Sequence, residues 1–276
     1  MTTYSDSDSF YIVLPSNIKS SKDAKIGNYT TQLTSKLDLG KGWLVGLCEV
    51  QYTNSWFNLR NKSHVRIINA TSGHGVTPWT GVPAGRYLTI HELIDAIESV
   101  SFPEIKDESE IPKLVPNIRS NVLSCKPGRT NGSSTILEFG EELAQLLGTH
   151  NGFRCCEQVD GSAHHIANGT YDMTGGIDGL YIWSDVVEFS MVGDGQGQLL
   201  RIVKAKDAAF GERVDIMYDK PYYRPVFRNE ISSIEVDVKD GAGERLDFKF
   251  GRLEIVLHFI RQQPLQHRNN SDDSQS

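Results

Sequence analysis

The chain has 276 residues, 35 acidic against 28 basic side chains, and a formal net charge of −7. That balance excludes a dominant nucleic-acid surface, which would need clustered Lys and Arg. A hydrophobic share of 38% with 25 glycines suits one large unit of many short strands and turns.

Residues 1–9 are polar and read as a disordered tail, with no basic segment followed by an apolar one, so no secretory signal peptide is expected. No apolar run reaches the length of a membrane span. Phe10–Leu14 is the first predicted strand, stopped by Pro15 and Asn17. A second covers Tyr29–Leu39, a Gly40-Lys41-Gly42 turn follows, and a third covers Trp43–Tyr52. The near-continuous apolar character of the third predicts burial on both faces. Val65–Ile68 is a short fourth strand.

Thr89 opens a helix. Thr89 and Glu92 form a capping box, Leu88 and Leu93 a hydrophobic staple, and Ile90, Leu93, Ile94 and Ile97 share one face to near Val100. Phe102 to Pro116 carries three prolines and several acids, and reads as an exposed loop. Strands are predicted at Ser120–Lys126 and Thr135–Phe139. A short helix follows over Glu141–Leu147, with Gly148 at its C′ position. Residues 149–179 read as a long loop.

Strands return at Leu180–Val192 and Leu199–Lys204. Gly193-Asp194-Gly195-Gln196-Gly197 lies between two strands, so it reads as a hairpin turn and not as a phosphate loop. Ile234, Val236 and Val238, then Leu246, Phe248 and Phe250, then Leu253, Ile255, Leu257 and Phe259 alternate with polar or turn residues. This pattern predicts a three-strand antiparallel meander. Gln262 to Ser276 is a polar, disordered tail. The strand count, roughly eight to ten, is that of an all-β single jelly-roll sandwich with short helical insertions. The expected division is one domain over 10–261 with insertions near 70–118 and 149–179.

Motifs for chemistry are sparse. Cys48, Cys125, Cys155 and Cys156 match no zinc spacing and read as free thiols. His164-His165 lacks the His-x-His with a following Glu that a metal set on adjacent strands would use, and reads as surface loop. His74, His91, His150 and His258 are isolated. No nucleophile elbow is present, and Glu108/Glu110 and Glu141/Glu142 read as a solvated loop and a helix start. No catalytic, cofactor-binding or metal residue is therefore assigned. One cluster stands out as a possible interaction surface: Tyr218, Tyr222, Tyr223 and Phe227 interleaved with Arg224 and Arg228. Aromatics among cations stack on bases or sugars, and are also favoured at protein–protein contacts. In an acidic chain the second reading is preferred.

Three blocks carry a family resemblance. The first is Phe10-Tyr-Ile-Val-Leu-Pro-Ser-Asn17 with Tyr29-Thr-x-x-Leu33 and Trp43-x-Val-Gly-Leu-x-Glu-Val-Gln-Tyr52-x-Asn-x-Trp56. The second is Asp185-Val-Val-Glu188-x-x-x-Val-Gly-Asp194 with Leu199-Leu-Arg-Ile-Val203, and the third runs from Ile231 to Leu257-His258-Phe259. Together they resemble the minor capsid (penton) proteins of Polinton/Maverick elements and the related adintoviruses. Residues 101–118 and 149–179 match nothing in that pattern.

The resemblance implies a structural virion protein with no catalytic role. It would form homopentamers at the vertices of an icosahedral capsid and contact a double jelly-roll major capsid protein. It would need no cofactor, bind no nucleic acid directly, and be made inside the host cell. The alternative is a jelly-roll carbohydrate- or ligand-binding module using the aromatics at 218–228. A sandwich-fold hydrolase is a further alternative, since its carboxylates cannot be found by spacing.

Overall fold

The computed structural model describes residues 9–17, 25–59, 63–69, 75–102, 112–126, 135–149, 154–155, 165–206 and 208–262. In chain order the elements begin with β1 (Ser9–Pro15), β2 (Asn28–Asp38), β3 (Trp43–Thr53), β4 (His64–Asn69), β5 (Gly75–Val76), β6 (Thr80–Gly81) and α1 (Ile90–Ser101). There follow β7 (Lys113–Asn117), β8 (Val122–Lys126), β9 (Thr135–Phe139), α2 (Glu141–Leu146), β10 (Arg154–Cys155) and β11 (His165–Thr170). The chain closes with β12 (Gly179–Ser184), β13 (Ser190–Val192), β14 (Gly195–Gly197), β15 (Leu199–Lys204), β16 (Arg213–Met217), β17 (Arg224–Pro225), β18 (Glu230–Lys239) and β19 (Leu253–Arg261).

Two sheets form the main body. One has the order β1-β19-β3-β16, with β17 also on β3; the other has the order β15-β12-β18-β2. Renumbered one to eight by their place in the chain, these strands run 1-8-3-6 in the first sheet and 5-4-7-2 in the second. That connectivity, antiparallel throughout, is the eight-stranded jelly roll. The fold is all-β, as its strand pattern predicts.

Period-two alternation builds the sandwich. Leu253, Ile255, Leu257 and Phe259 of β19 are fully buried, while the residues between them are half exposed. Ile234, Val236 and Val238 of β18 do the same from the facing sheet, with Leu180 and Ile182 of β12 and Val45 and Leu47 of β3. Phe10 of β1 stacks on Phe259 at 4.9 Å between ring centres. The hydroxyl of Tyr29 on β2 donates to the Leu14 carbonyl at 2.6 Å, tying the two sheets together at the β1 side. β3 is buried on both faces only where the chain crosses it: Gly46 is covered, but Leu44 and Cys48 are half exposed.

Everything from Asn54 to Asp178 is inserted between β3 and β12. It has a core of its own, in which Ile90, Leu93, Ile94 and Ile97 of α1 meet Leu137 and Phe139 of β9 and Leu143 of α2. Thr89 caps α1 by accepting from the Glu92 amide at 3.2 Å, and the Glu92 carboxylate accepts from the Leu88 amide at 2.8 Å. Leu88 is 52% exposed, so the expected staple covers little of Leu93. Gly148 follows α2 with φ +71°, as a C′ residue requires.

Several expectations are corrected. The residues around 246–250 form no middle strand of a meander: β18 and β19 belong to opposite sheets. Leu246 and Phe248 alternate because they close the end of the sandwich, where both are buried and Phe248 meets Trp56 edge-on at 5.4 Å. Residues 113–117, expected as loop, are strand β7. Pro116 is tolerated because β7 is the edge of its three-stranded sheet, and Leu114 is buried. Residues 149–179 also contain β10 and β11, the latter paired with β8. His165 therefore lies in a strand; His74, His150 and His164 fall outside the described residues.

Leu180–Val192 is two strands, not one. The expected hairpin forms with Gly193-Asp194 as its two turn residues, Val192 opposite Gly195 and Gly193 at φ +62°. A two-residue turn with glycine first is of the II′ kind. Cys48 is free, but Cys125 is disulfide-bonded and fully buried, against the expectation of free thiols. Bridging depends on which strands meet, which spacing does not encode.

Phe259 and Val256 give a direct test of this core. Phe259→Ala is expected to cost about 3–5 kcal/mol, the range for emptying a fully buried aromatic site. Val256→Ala, on the outer face of the same strand, is expected to cost under ~1 kcal/mol. Urea unfolding of the two variants beside wild type measures both.

Candidate interaction surface

The segment from Tyr218 to Arg228 leaves β16 and crosses the outer face of the first sheet. The Tyr218 amide donates to the Cys48 carbonyl at 2.8 Å. Pro221 and Tyr223 then pass directly over Gly46, where an added Cβ would lie 3.0 Å from each of them. Glycine in a central strand here marks a close approach of two chain segments.

Tyr223 lands on β19. Its hydroxyl is 2.7 Å from His258 Nδ1, and the rings meet edge-on at 5.8 Å. On its other side His258 stacks on Tyr11 of β1, 4.3 Å away and nearly parallel. Tyr11, His258 and Tyr223 thus form one aromatic row across the outside of the sheet. Burial lowers the pKa of His258, favouring the neutral ring. Burial also raises the pKa of Tyr223, with smaller contributions from Tyr11 and Cys48.

The six residues singled out from sequence divide among three places. Tyr222 is 66% exposed beside the aromatic row. Tyr218 lies 3.5 Å beneath the guanidinium of Arg201 on β15, and Arg224 donates to the Leu199 carbonyl at 3.3 Å, so both brace the junction of the two sheets. Phe227 is 44% exposed at the far edge of the first sheet, edge-on to Phe189 at 5.6 Å. Arg228 sits with its guanidinium 5.6 Å from the Phe227 ring. The amide of Phe227 donates to the Val186 carbonyl at 2.9 Å, which fixes this turn against the segment that leads into β13.

Sequence reasoning missed the partners of these residues. Tyr11, Val13, Phe189, Met191, Ile202 and Met217 are all large apolar or aromatic side chains that remain exposed. A signal existed for the first two: in Phe10–Leu14 both parities are apolar, so one set must point outward. His258, read as isolated, is brought between two tyrosines by the β1–β19 pairing.

A separate cleft of about 910 Å³ lies where the insertion meets the jelly roll. Trp56 and Phe57 line it, with the carboxylates Glu141, Glu142, Asp172, Asp240, Glu244 and Asp247. Lys249 bonds Asp247 at 2.7 Å and lies over the Phe57 ring at 4.7 Å. Among the described residues, no group of three or more His, Cys, Asp or Glu is placed to hold a metal. Among them also, no helix is long and apolar enough to cross a membrane.

No family model matches the chain, and no curated protein matches it in sequence. Among solved structures, a crystal structure of the mavirus penton protein is similar, with a TM-score of 0.49 and 14% identity. The match covers 92% of this chain and 100% of that one.

The lowered pKa of His258 sets a direction for pH dependence. A histidine that binds its proton less readily when folded contributes stability that is complete above its unfolded pKa of about 6.5. That contribution is lost as pH falls through the lower folded value. The melting temperature is therefore expected to drop between pH 7.5 and pH 5, and to drop less in His258→Asn. Thermal melts of both proteins at the two pH values measure the difference. Tyr223→Phe removes the 2.7 Å bond and is expected to cost about 1 kcal/mol at pH 7.5.

Proposed function

We propose that this chain is a structural capsid protein: a penton, or minor capsid, subunit that forms homopentamers at the five-fold vertices of an icosahedral shell. The single observation that carries the reading is the jelly roll itself, closed by pairing the first strand with the last and present once among the described residues. A ring of five single jelly rolls fits a five-fold vertex, and trimers of double jelly rolls fit the six-neighbour positions around it. The resemblance of Phe10–Trp56, Asp185–Val203 and Ile231–Phe259 to penton proteins of Polinton/Maverick elements and adintoviruses supports the same assignment. Those segments hold six of the eight strands of the sandwich, all but β12 and β16.

In this reading the product of the fold is surface, and energy is spread over interfaces between subunits instead of being concentrated in a site. The partners are four further copies and a double jelly-roll major capsid protein, and the location is the capsid vertex.

The test is mass. Native mass spectrometry and light scattering of the full chain, alone and extracted from particles, are expected to show a five-subunit species. A protein that remains monomeric in solution and is absent from particle vertices overturns the assignment.

A further inference from the structure

The sandwich has four edge strands, and one differs from the rest. β2 carries Lys36 and Asp38, β15 carries Arg201 and Lys204, and β16 carries Arg213 and Asp215. β1, Ser-Phe-Tyr-Ile-Val-Leu-Pro, carries no charge. Edge strands that stay exposed are normally protected by charge, bulges or cover. β1 has a continuous register with β19 and no bulge.

Its backbone is open as well. The Ser16 amide donates to the Leu253 carbonyl at 2.8 Å, which sets the parity of the ladder. Ser16, Leu14 and Ile12 therefore bond toward β19, and Tyr11 and Val13 turn their amides and carbonyls to the outer edge. Among the described residues no strand pairs with that edge. The side chains of Tyr11 and Val13 are 63% and 53% exposed.

The opposite lateral edge carries a second apolar patch. There the β13–β14 hairpin projects with Met191 68% exposed, flanked by Phe189 and Phe227 at 55% and 44%. The hairpin belongs to this edge because Val187 bridges Val226, and β17 pairs β3 on the side away from β19.

The two patches sit at the same height. Tyr11 is opposite His258, which is opposite Gly46; the neighbouring residues Val45 and Leu44 pair Arg224 and Pro225, two residues from Phe227. Two different patches on opposite sides at one level are what a closed head-to-tail ring requires; a vertical offset would generate a filament instead.

We infer that the β13–β14 hairpin of one copy, with Phe189 and Phe227, seats on the open β1 edge of the next copy. The occupant of each edge is thus a second copy of this chain. This rests on the ring-forming reading above and specifies its contact. The hairpin strands are three residues long, matching the stretch from Tyr11 to Val13, so main-chain pairing adds to apolar burial.

Complementation tests it. Tyr11→Glu with Val13→Lys breaks the first patch, and Phe189→Ser with Met191→Glu breaks the second. Each variant of the full chain is expected to be monomeric by light scattering, with a circular dichroism melt like that of wild type. Where a double variant fails to fold, Val13→Lys or Met191→Glu alone replaces it. Mixed in equal amounts, the two variants are expected to form a one-to-one dimer that grows no further, because one contact of the pair remains intact. Wild-type rings with variants that still assemble, or a mixture that stays monomeric, overturn this contact and leave the ring reading standing. A second-patch variant that dimerises by itself also overturns it, since that outcome marks a self-complementary β1 contact. Wild-type protein that never assembles overturns the ring reading and this contact together.

Discussion

The pairing of the first strand with the last is the constraint on which the molecule depends. Ser9 lies opposite Ile260 and Val13 opposite Val256, so β19 can sit between β1 and β3 only when almost the whole chain has been gathered. Without β1, Phe10 leaves Phe259, the Tyr29 hydroxyl loses its 2.6 Å acceptor on Leu14, and the two sheets lose their link on that side. Contacts so distant in sequence delay their own reward, because loop closure is costly before burial repays it. The fold is therefore expected to form slowly and to be cooperative, with its most apolar edge among the last parts covered. That same edge is uncharged. Self-association in the ring would satisfy what the monomer leaves open, and would protect a strand otherwise suited to aggregation.

The insertion from Asn54 to Asp178 fits the same logic. Its two ends feed Trp56 and Ile177 into the core of the jelly roll, and its own apolar residues gather in a separate cluster. A long excursion is thermodynamically tolerable when its ends are held close, because closure cost grows only with the logarithm of length. The strands β3 and β12 on either side of it keep their places in the two sheets, so the sandwich is indifferent to what is carried between them.

Local patterns were legible in the sequence; partners were not. The β1, β2 and β3 boundaries, the Thr89 cap of α1 and the Gly148 terminus of α2 follow from periodicity and turn chemistry acting within a few residues. The apparent meander misled because alternation reports only that one side of a segment is buried. Leu246 and Phe248 are buried by the end of the sandwich, so their pattern resembles a strand without a ladder. Residues 113–117 were hidden by Pro116, which an edge position makes harmless. The aromatic segment at 218–228 was visible as composition, but its division between the outer face and the far edge depends on Gly46 allowing the chain to cross β3. The acids of the cleft, scattered from Glu141 to Asp247, meet only because the insertion folds back against the loop after β18.

The two outer faces of the sandwich differ in kind. The face of the second sheet mixes charge with the exposed Ile202: Lys36 pairs with Glu230, and Asp237 accepts from Arg245 at 3.1 Å with Lys239 nearby. An exposed pair such as Lys36–Glu230 contributes little to stability and keeps a surface wet. The face of the first sheet presents Tyr11, Val13 and Tyr222 around His258, with the crossing segment fixed upon it. Its apolar row lies at the Gly46 end of β3, and the insertion departs from the opposite end, after Thr53. Contacts made at the level of Tyr11 would therefore leave the insertion and its acidic cleft outside the plane of the proposed ring. Lateral assembly and whatever the cleft touches are physically separable, because they occupy opposite ends of the same strands.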